Sequence, residues 1–131
     1  MASKAYTGPS FKVNRAFAEK FSDKWVILSA KFGFIEPNFI IEEDYNVTFN
    51  DPKTNPIKTS ELKRQFHEMG LKKYDRIIAL GGKNYAERVT EVVGESPKIS
   101  TPSAGLGLGY GLQRIKELTL LNRIELIKRL F

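Results

Sequence analysis

The chain contains no cysteine, which excludes disulfides and thiolate chemistry and fits a reducing, cytoplasmic compartment. Its first residues, MASKAYTG, hold no long apolar run, so neither a signal peptide nor an N-terminal membrane span is expected. The C-terminal segment is rich in Leu and Ile, but Arg114, Lys116, Arg123, Glu125 and Lys128 interrupt it every turn, which suits a packing helix and not a membrane helix. Histidine occurs once, as His67 in QFHEM, and reads as a surface position mid-helix. The acidic residues Glu42, Glu43 and Asp44 are adjacent in sequence with no His or Cys cluster behind them, so no metal and no cofactor is expected. No internal repeat or low-complexity tract is present.

At 131 residues with 41% apolar composition, the chain has the material for one core, and residues 1–131 are expected to form a single domain. A net charge of +6 and a pI near 9.6 favour a polyanionic partner, DNA, RNA or a nucleotide, although charge alone leaves a merely solvated surface open.

Apolar periodicity places a first helix over Ser10 to Phe21, with Ser10 as its cap. The run Trp25 to Leu28 is too short for a helix and reads as a buried parallel strand, with Gly33 turning the chain sharply after it. Val47 to Phe49 fits a short edge strand, and NDPKTNPIK (Asn50 to Lys58) a loop. Thr59 or Ser60 then caps a helix to about Gly70 with Leu62, Phe66 and Met69 on its buried side. The face bearing Lys63, Arg64 and, just beyond, Lys72 and Lys73 is either solvated or phosphate-binding.

Arg76 to Leu80 is a second buried strand, followed by Gly81-Gly82-Lys83 and a helix from about Asn84 to Val93 that Gly94 ends. Strand, glycine turn and helix can cradle a phosphate, but this is not a Walker loop. Ile77 stands where the first glycine is required, and Asn84 replaces the magnesium-binding hydroxyl. Lys98 to Ser100 is a third strand. The run Gly105-Leu106-Gly107-Leu108-Gly109-Tyr110-Gly111 does not match the dinucleotide fingerprint GxGxxG in either register. Its glycines permit close backbone approach, to a ligand or to a facing loop. A helix from about Tyr110 to Phe131 ends the chain with two adjacent apolar stripes, a surplus that a bend near Asn122 or a homodimer through this helix would absorb. The fold class expected is α/β: a small three-layer fold with a short, mostly parallel sheet of about three to four strands, flanked by helices and closed by a long C-terminal helix.

Four segments in order, AYTGPSF, ILSAKFGFI with a downstream EDY, GGKNY and GLGLGYGLQ, resemble an uncharacterised bacterial and archaeal α/β domain family with the pattern LYTG, ILSAKYGLL, PYD, LAGxxY and GLGIGxQ. A more distant similarity is to the YaaA-type peroxide-stress proteins, which are thought of as DNA-binding. The first resemblance implies a pocket at the strand ends built by Tyr6, Thr7, Ser29, Lys31, Asp44, Tyr45, Gly81, Tyr85, Gly107 and Gln113. Two departures accompany it. Only five residues precede Tyr6, so the family's leading strand is missing or comes from a partner, and Glu43-Asp44-Tyr45-Asn46 stands where the pattern has Pro-Tyr-Asp.

These residues admit a nucleic-acid- or nucleotide-binding module, with tyrosines stacking on a base, Gln113 reading a base edge and Lys31 pairing with phosphate. They also admit a hydrolase of a nucleobase glycosidic bond, with Asp44 as the catalytic carboxylate and Tyr45 or Tyr85 stacking. A structural or oligomeric partner protein is the third reading, motivated by the surplus apolar surface of the last helix.

Overall fold

The computed structural model describes residues 9–41 and 46–131. Tyr6, Thr7, Asp44 and Tyr45, all expected in the pocket, lie outside them. The described residues form five α-helices, two short 3-10 turns and four three-residue strands.

Helix α1 spans Pro9–Phe21. It begins one residue before the expected Ser10 cap, because proline suits the first helical turn, where its missing N–H has no intrahelical partner. Phe17 and Phe21 recur one turn apart on its buried side, with ring centroids 5.0 Å apart.

Strand β1 (Ile27–Ser29) returns on β2 (Gly33–Ile35) as an antiparallel hairpin, pairing Ile27 with Ile35 and Ser29 with Gly33. The expectation of a parallel strand here is therefore corrected. Gly33 adopts φ +80°, a left-handed conformation that favours glycine, and the chain reverses within three residues of Ser29. The buried Ser29 Oγ accepts the N–H groups of Lys31 (3.2 Å) and Phe32 (3.0 Å), satisfying the backbone of the bend. The edge strand expected at Val47 to Phe49 is reduced to a single bridge between Thr48 and Asp51. The following 3-10 turn, Pro52–Thr54, starts at Asp51, whose side chain accepts from the Lys53 N–H, so the chain turns away before a ladder can extend.

Helix α2 (Thr59–Glu68) buries Leu62 and Phe66 and carries no side-chain cap, contrary to the expectation for Thr59 or Ser60. Lys58 is its N-cap residue instead. A second 3-10 turn, Leu71–Lys73, leads into β3 (Arg76–Ile78). Helix α3 (Lys83–Val93) then ends at Gly94, whose N–H donates to the Thr90 carbonyl at φ +70°. β4 (Lys98–Ser100) pairs in parallel with β3, Arg76 opposite Lys98 and Ile77 opposite Ile99.

Among the described residues there are thus two separate two-stranded sheets, one antiparallel and one parallel, and not the mostly parallel sheet of three to four strands that was expected. Alternation along β3 still sends neighbouring side chains into different cores, as a doubly covered strand requires. Ile77, with Ile99, packs into a cluster of Phe34, Leu62, Phe66, Val92 and Val93. Ile78 and Leu80 pack with Phe17 and Phe21 of α1 and with Ile115, Leu118 and Leu126 from the chain's C-terminal part. The fully buried Leu62, Ile115, Leu118 and Leu126 side chains each contribute about 1.5–3 kcal/mol of hydrophobic stabilisation. A smaller cluster joins Ile27 and Ile35 to Phe11, Trp25 and Phe32.

The long C-terminal helix is two helices, α4 (Leu108–Thr119) and α5 (Arg123–Leu130), with the break at the expected position near Asn122. Asn122 Oδ1 accepts the Glu125 N–H at 2.9 Å and so caps α5. Lys20 Nζ on α1 donates to the carbonyls of Thr119 (2.5 Å) and Leu121 (3.0 Å), where a helix C-terminus attracts a cation. The bend lets Leu126 enter the core beside Leu118 but leaves Leu120 and Ile124 84% and 69% exposed. No helix of the described residues is long and apolar enough to cross a membrane.

Candidate functional site

Because β3 and β4 are parallel, the loops that follow them open at the same end. They are tied together by one buried hydroxyl. Ser103 Oγ donates to the Gly81 carbonyl (3.1 Å) and accepts the Gly81 N–H (3.3 Å), closing a reciprocal pair between the two loops. Gly81 sits at φ +118°, open to glycine and strained for any other residue. Gly111, in the first turn of α4, packs directly on Ser103: a Cβ there would stand 3.4 Å from the serine Cβ.

Two helices begin at this end, α3 after Gly82 and α4 after Gly107. Neither has a side-chain cap and neither has an acidic residue in its first turn. The leading N–H groups of both, with the positive end of each helix dipole, therefore have no side-chain cap and no first-turn carboxylate to neutralise them. An open groove of about 390 Å³ runs between α3 and the loop that follows β4, with Lys83, Ala86 and Thr90 on the helix side and Thr101, Ala104 and Gly105 on the loop side. Glu87 and Glu91 complete the helix wall, and Lys83 lies 4.0 Å from Glu87.

The segment after the hairpin is tied to the same end. Asn84 Nδ2 donates to Asn50 Oδ1 at 2.9 Å, and Tyr85 Oη lies 3.3 Å from Thr48 Oγ1. The Tyr85 ring meets Phe49 edge-on at 4.9 Å and packs against the larger core.

Gly81, Tyr85 and Gly107 are thus three of the expected residues that stand on the loops and helix starts of this end. Ser29 and the exposed Lys31 belong to the β1–β2 hairpin, where Ser29 holds the bend. Gln113 is exposed on α4 and donates to Glu117 Oε1 at 3.1 Å. The carboxylate of the hydrolase reading, Asp44, is among the residues not described.

Residue patterns did not single out Ser103 or Thr48, and they marked Asn84 only as a departure from the Walker loop. The available signal was small: a serine just ahead of a glycine run, whose partner Gly81 lies twenty-two residues earlier. Gln65 was missed in the same way. Its carboxamide accepts the Phe34 N–H and donates to the Phe32 carbonyl, both at 2.9 Å, clamping the hairpin from α2.

Comparison with known proteins gives relatives without an assigned activity. The chain is 40% identical over 115 residues to the uncharacterized protein YfjM of Bacillus subtilis (strain 168), a match covering 87% of this chain and 77% of that protein. No solved structure matches. Residues 1–117 match the model of a family of unknown function, and the chain belongs to that family, DUF6884.

Proposed function

We propose that this protein binds nucleotides or nucleic acid, DNA or RNA, with a phosphate held at the carboxyl ends of β3 and β4. The observation that carries the reading is that two glycine-capped helices, α3 and α4, start from the two loops that Ser103 pins together. Backbone N–H groups and dipoles so arranged favour an anion. Lys83, in the first turn of α3, adds a cation, and the basic net charge steers polyanions to the molecule. The more distant resemblance of the sequence motifs to the YaaA-type proteins, which are thought of as DNA-binding, supports the same reading. Glu87 and Glu91 on the groove wall disfavour a run of phosphates and suit a single one, as in a mononucleotide or a strand end.

Calorimetric titration with nucleoside monophosphates and with the matching nucleosides tests this. Binding is expected to require the phosphate, and Lys83→Gln is expected to weaken it about tenfold, the loss of one charge-assisted hydrogen bond. Equal binding of phosphorylated and unphosphorylated ligands, or none of either, contradicts the reading. A homodimer through the C-terminal helices accompanies the proposal on one observation, the exposure of Leu120 and Ile124. Sedimentation equilibrium of the wild type against Leu120→Ser is its check: a dimer weakened by the substitution supports it, and a monomer throughout removes it.

A further inference from the structure

At the opposite end of the parallel pair the electrostatics reverse. β3 and β4 start with Arg76 in register with Lys98, both exposed, so two cations stand side by side on the first rung of the ladder. Like charges so placed on neighbouring strands oppose folding. Lys72 and Lys73 project from the 3-10 turn just before β3, and the four cations line an open cleft of about 510 Å³ that also takes in Tyr74 and Pro97. Asp75 and Glu95 face the same cleft, so four positive and two negative charges leave it two positive in surplus. Helix α5 ends nearby, with the Phe131 ring 5.8 Å from the Arg76 guanidinium, and its last turn carries Lys128 and Arg129.

None of Lys72, Lys73, Arg76 and Lys98 enters a salt bridge among the described residues. Arg64 on α2, by contrast, is held by Glu61 and Glu68. The groove at the carboxyl ends has one cation, Lys83, against Glu87 and Glu91, a surplus of one negative charge. A chain of phosphates is therefore drawn to the amino ends of the strands, not to the loops at the other end.

We infer that the cleft at the amino ends of β3 and β4 is a docking surface for the phosphodiester backbone of a nucleic acid, with Lys72, Lys73, Arg76 and Lys98 as its phosphate contacts. The lining is concave and mostly charged, and Arg76 offers the planar fork that pairs with phosphate oxygens. An acidic protein partner would call for exposed apolar anchors, and the apolar residues of the lining are Tyr74, half-buried, and Pro97, buried, while the Phe131 ring outside the lining is engaged by the Arg76 guanidinium. The inference rests on the nucleic-acid part of the function proposed above but assigns it a separate surface.

Fluorescence anisotropy with labelled single-stranded DNA, single-stranded RNA and duplex DNA of about 20 nucleotides, from about 50 to 200 mM salt, is the test. The triple variant Lys72→Ser, Lys73→Ser, Lys98→Gln is compared with Lys53→Gln, Lys58→Gln, Lys116→Gln, which removes the same charge elsewhere. The cleft variant is expected to lose at least about tenfold in affinity at low salt and to lower the slope of log K against log salt by about two to three, with the control near wild type. Lys72→Ser, Lys73→Ser alone leaves both strands intact and is expected to show about two-thirds of that change in slope, which separates the effect from misfolding. Equal weakening in cleft variant and control, no change in either, no oligonucleotide binding by the wild type, or binding only to phosphatidylserine vesicles overturns the inference. Mononucleotide binding is expected to be unchanged in the cleft variant. Its absence alongside cleft-dependent oligonucleotide binding would remove the carboxyl-end site and leave this one standing.

Discussion

Gly33 shows how much one missing atom can decide. The residue sits at φ +80°, and any Cβ there would run into the Gln65 carboxamide that clamps Phe32 and Phe34. Gly70 has a similar φ of +68° but open space around it. Gly33→Ala is therefore expected to cost about 2–3 kcal/mol, strain plus a weakened clamp, and Gly70→Ala about 1–2 kcal/mol, strain alone. Chemical denaturation of both variants checks this, and equal losses would contradict a role for the clamp. Ser103→Ala leaves the Gly81 N–H and carbonyl without their partner and is expected to destabilise by about 1–3 kcal/mol. It should also loosen the loops that present both helix starts, so its nucleotide affinity falls with its stability. A variant with full affinity would separate Ser103 from the site. These residues were the least legible in the sequence. Gly33 reads as a turn from its sequence, but the partner that fixes the turn, Gln65, lies on α2, thirty-one residues beyond Phe34. Nothing in local spacing marks Ser103 as more than a loop serine.

Elements bounded by their own residues were easier to foresee. Strand β4 falls at the expected Lys98 to Ser100, and α3 is bracketed by Gly82 and Gly94 as its glycines suggest. Strand pairing was not legible, because β1 has an apolar run that fits either direction and the hairpin depends on the Gln65 clamp. The division of the last helix is set by a cap at Asn122, and Asn122→Ala is expected to lower stability by about 1 kcal/mol, read as a shift in the thermal midpoint. No shift would mean that the break is held by the Lys20 contacts alone. On α2, the hydrogen bond from Arg64 holds the Glu61 carboxyl below its ordinary pKa of 4.5. A lowered folded-state pKa adds stability above the unfolded value and loses it as pH falls through the folded one. Glu61→Gln is thus expected to be slightly less stable than wild type near neutrality, with the gap closing as pH drops below about 4.5. A gap constant from neutral to acid pH would show that the pair contributes nothing.

Across the whole molecule, the parallel pair divides two kinds of surface. Its carboxyl ends carry glycine loops, two helix N-termini and a slightly acidic groove, and its amino ends carry a row of cations. The convergence of the loops could be anticipated from strand, glycine turn and helix in order. The charge reversal between the two ends could not, because it depends on which residues share a rung. The most direct measurement is an amide nitrogen–proton NMR titration of the full chain with a nucleoside monophosphate. The result expected is a set of saturable shifts centred on Gly81, Gly82, Lys83 and the segment from Ser103 to Gly109. Shifts confined to other surfaces, or none at saturating ligand, would contradict a phosphate site at the carboxyl ends of β3 and β4.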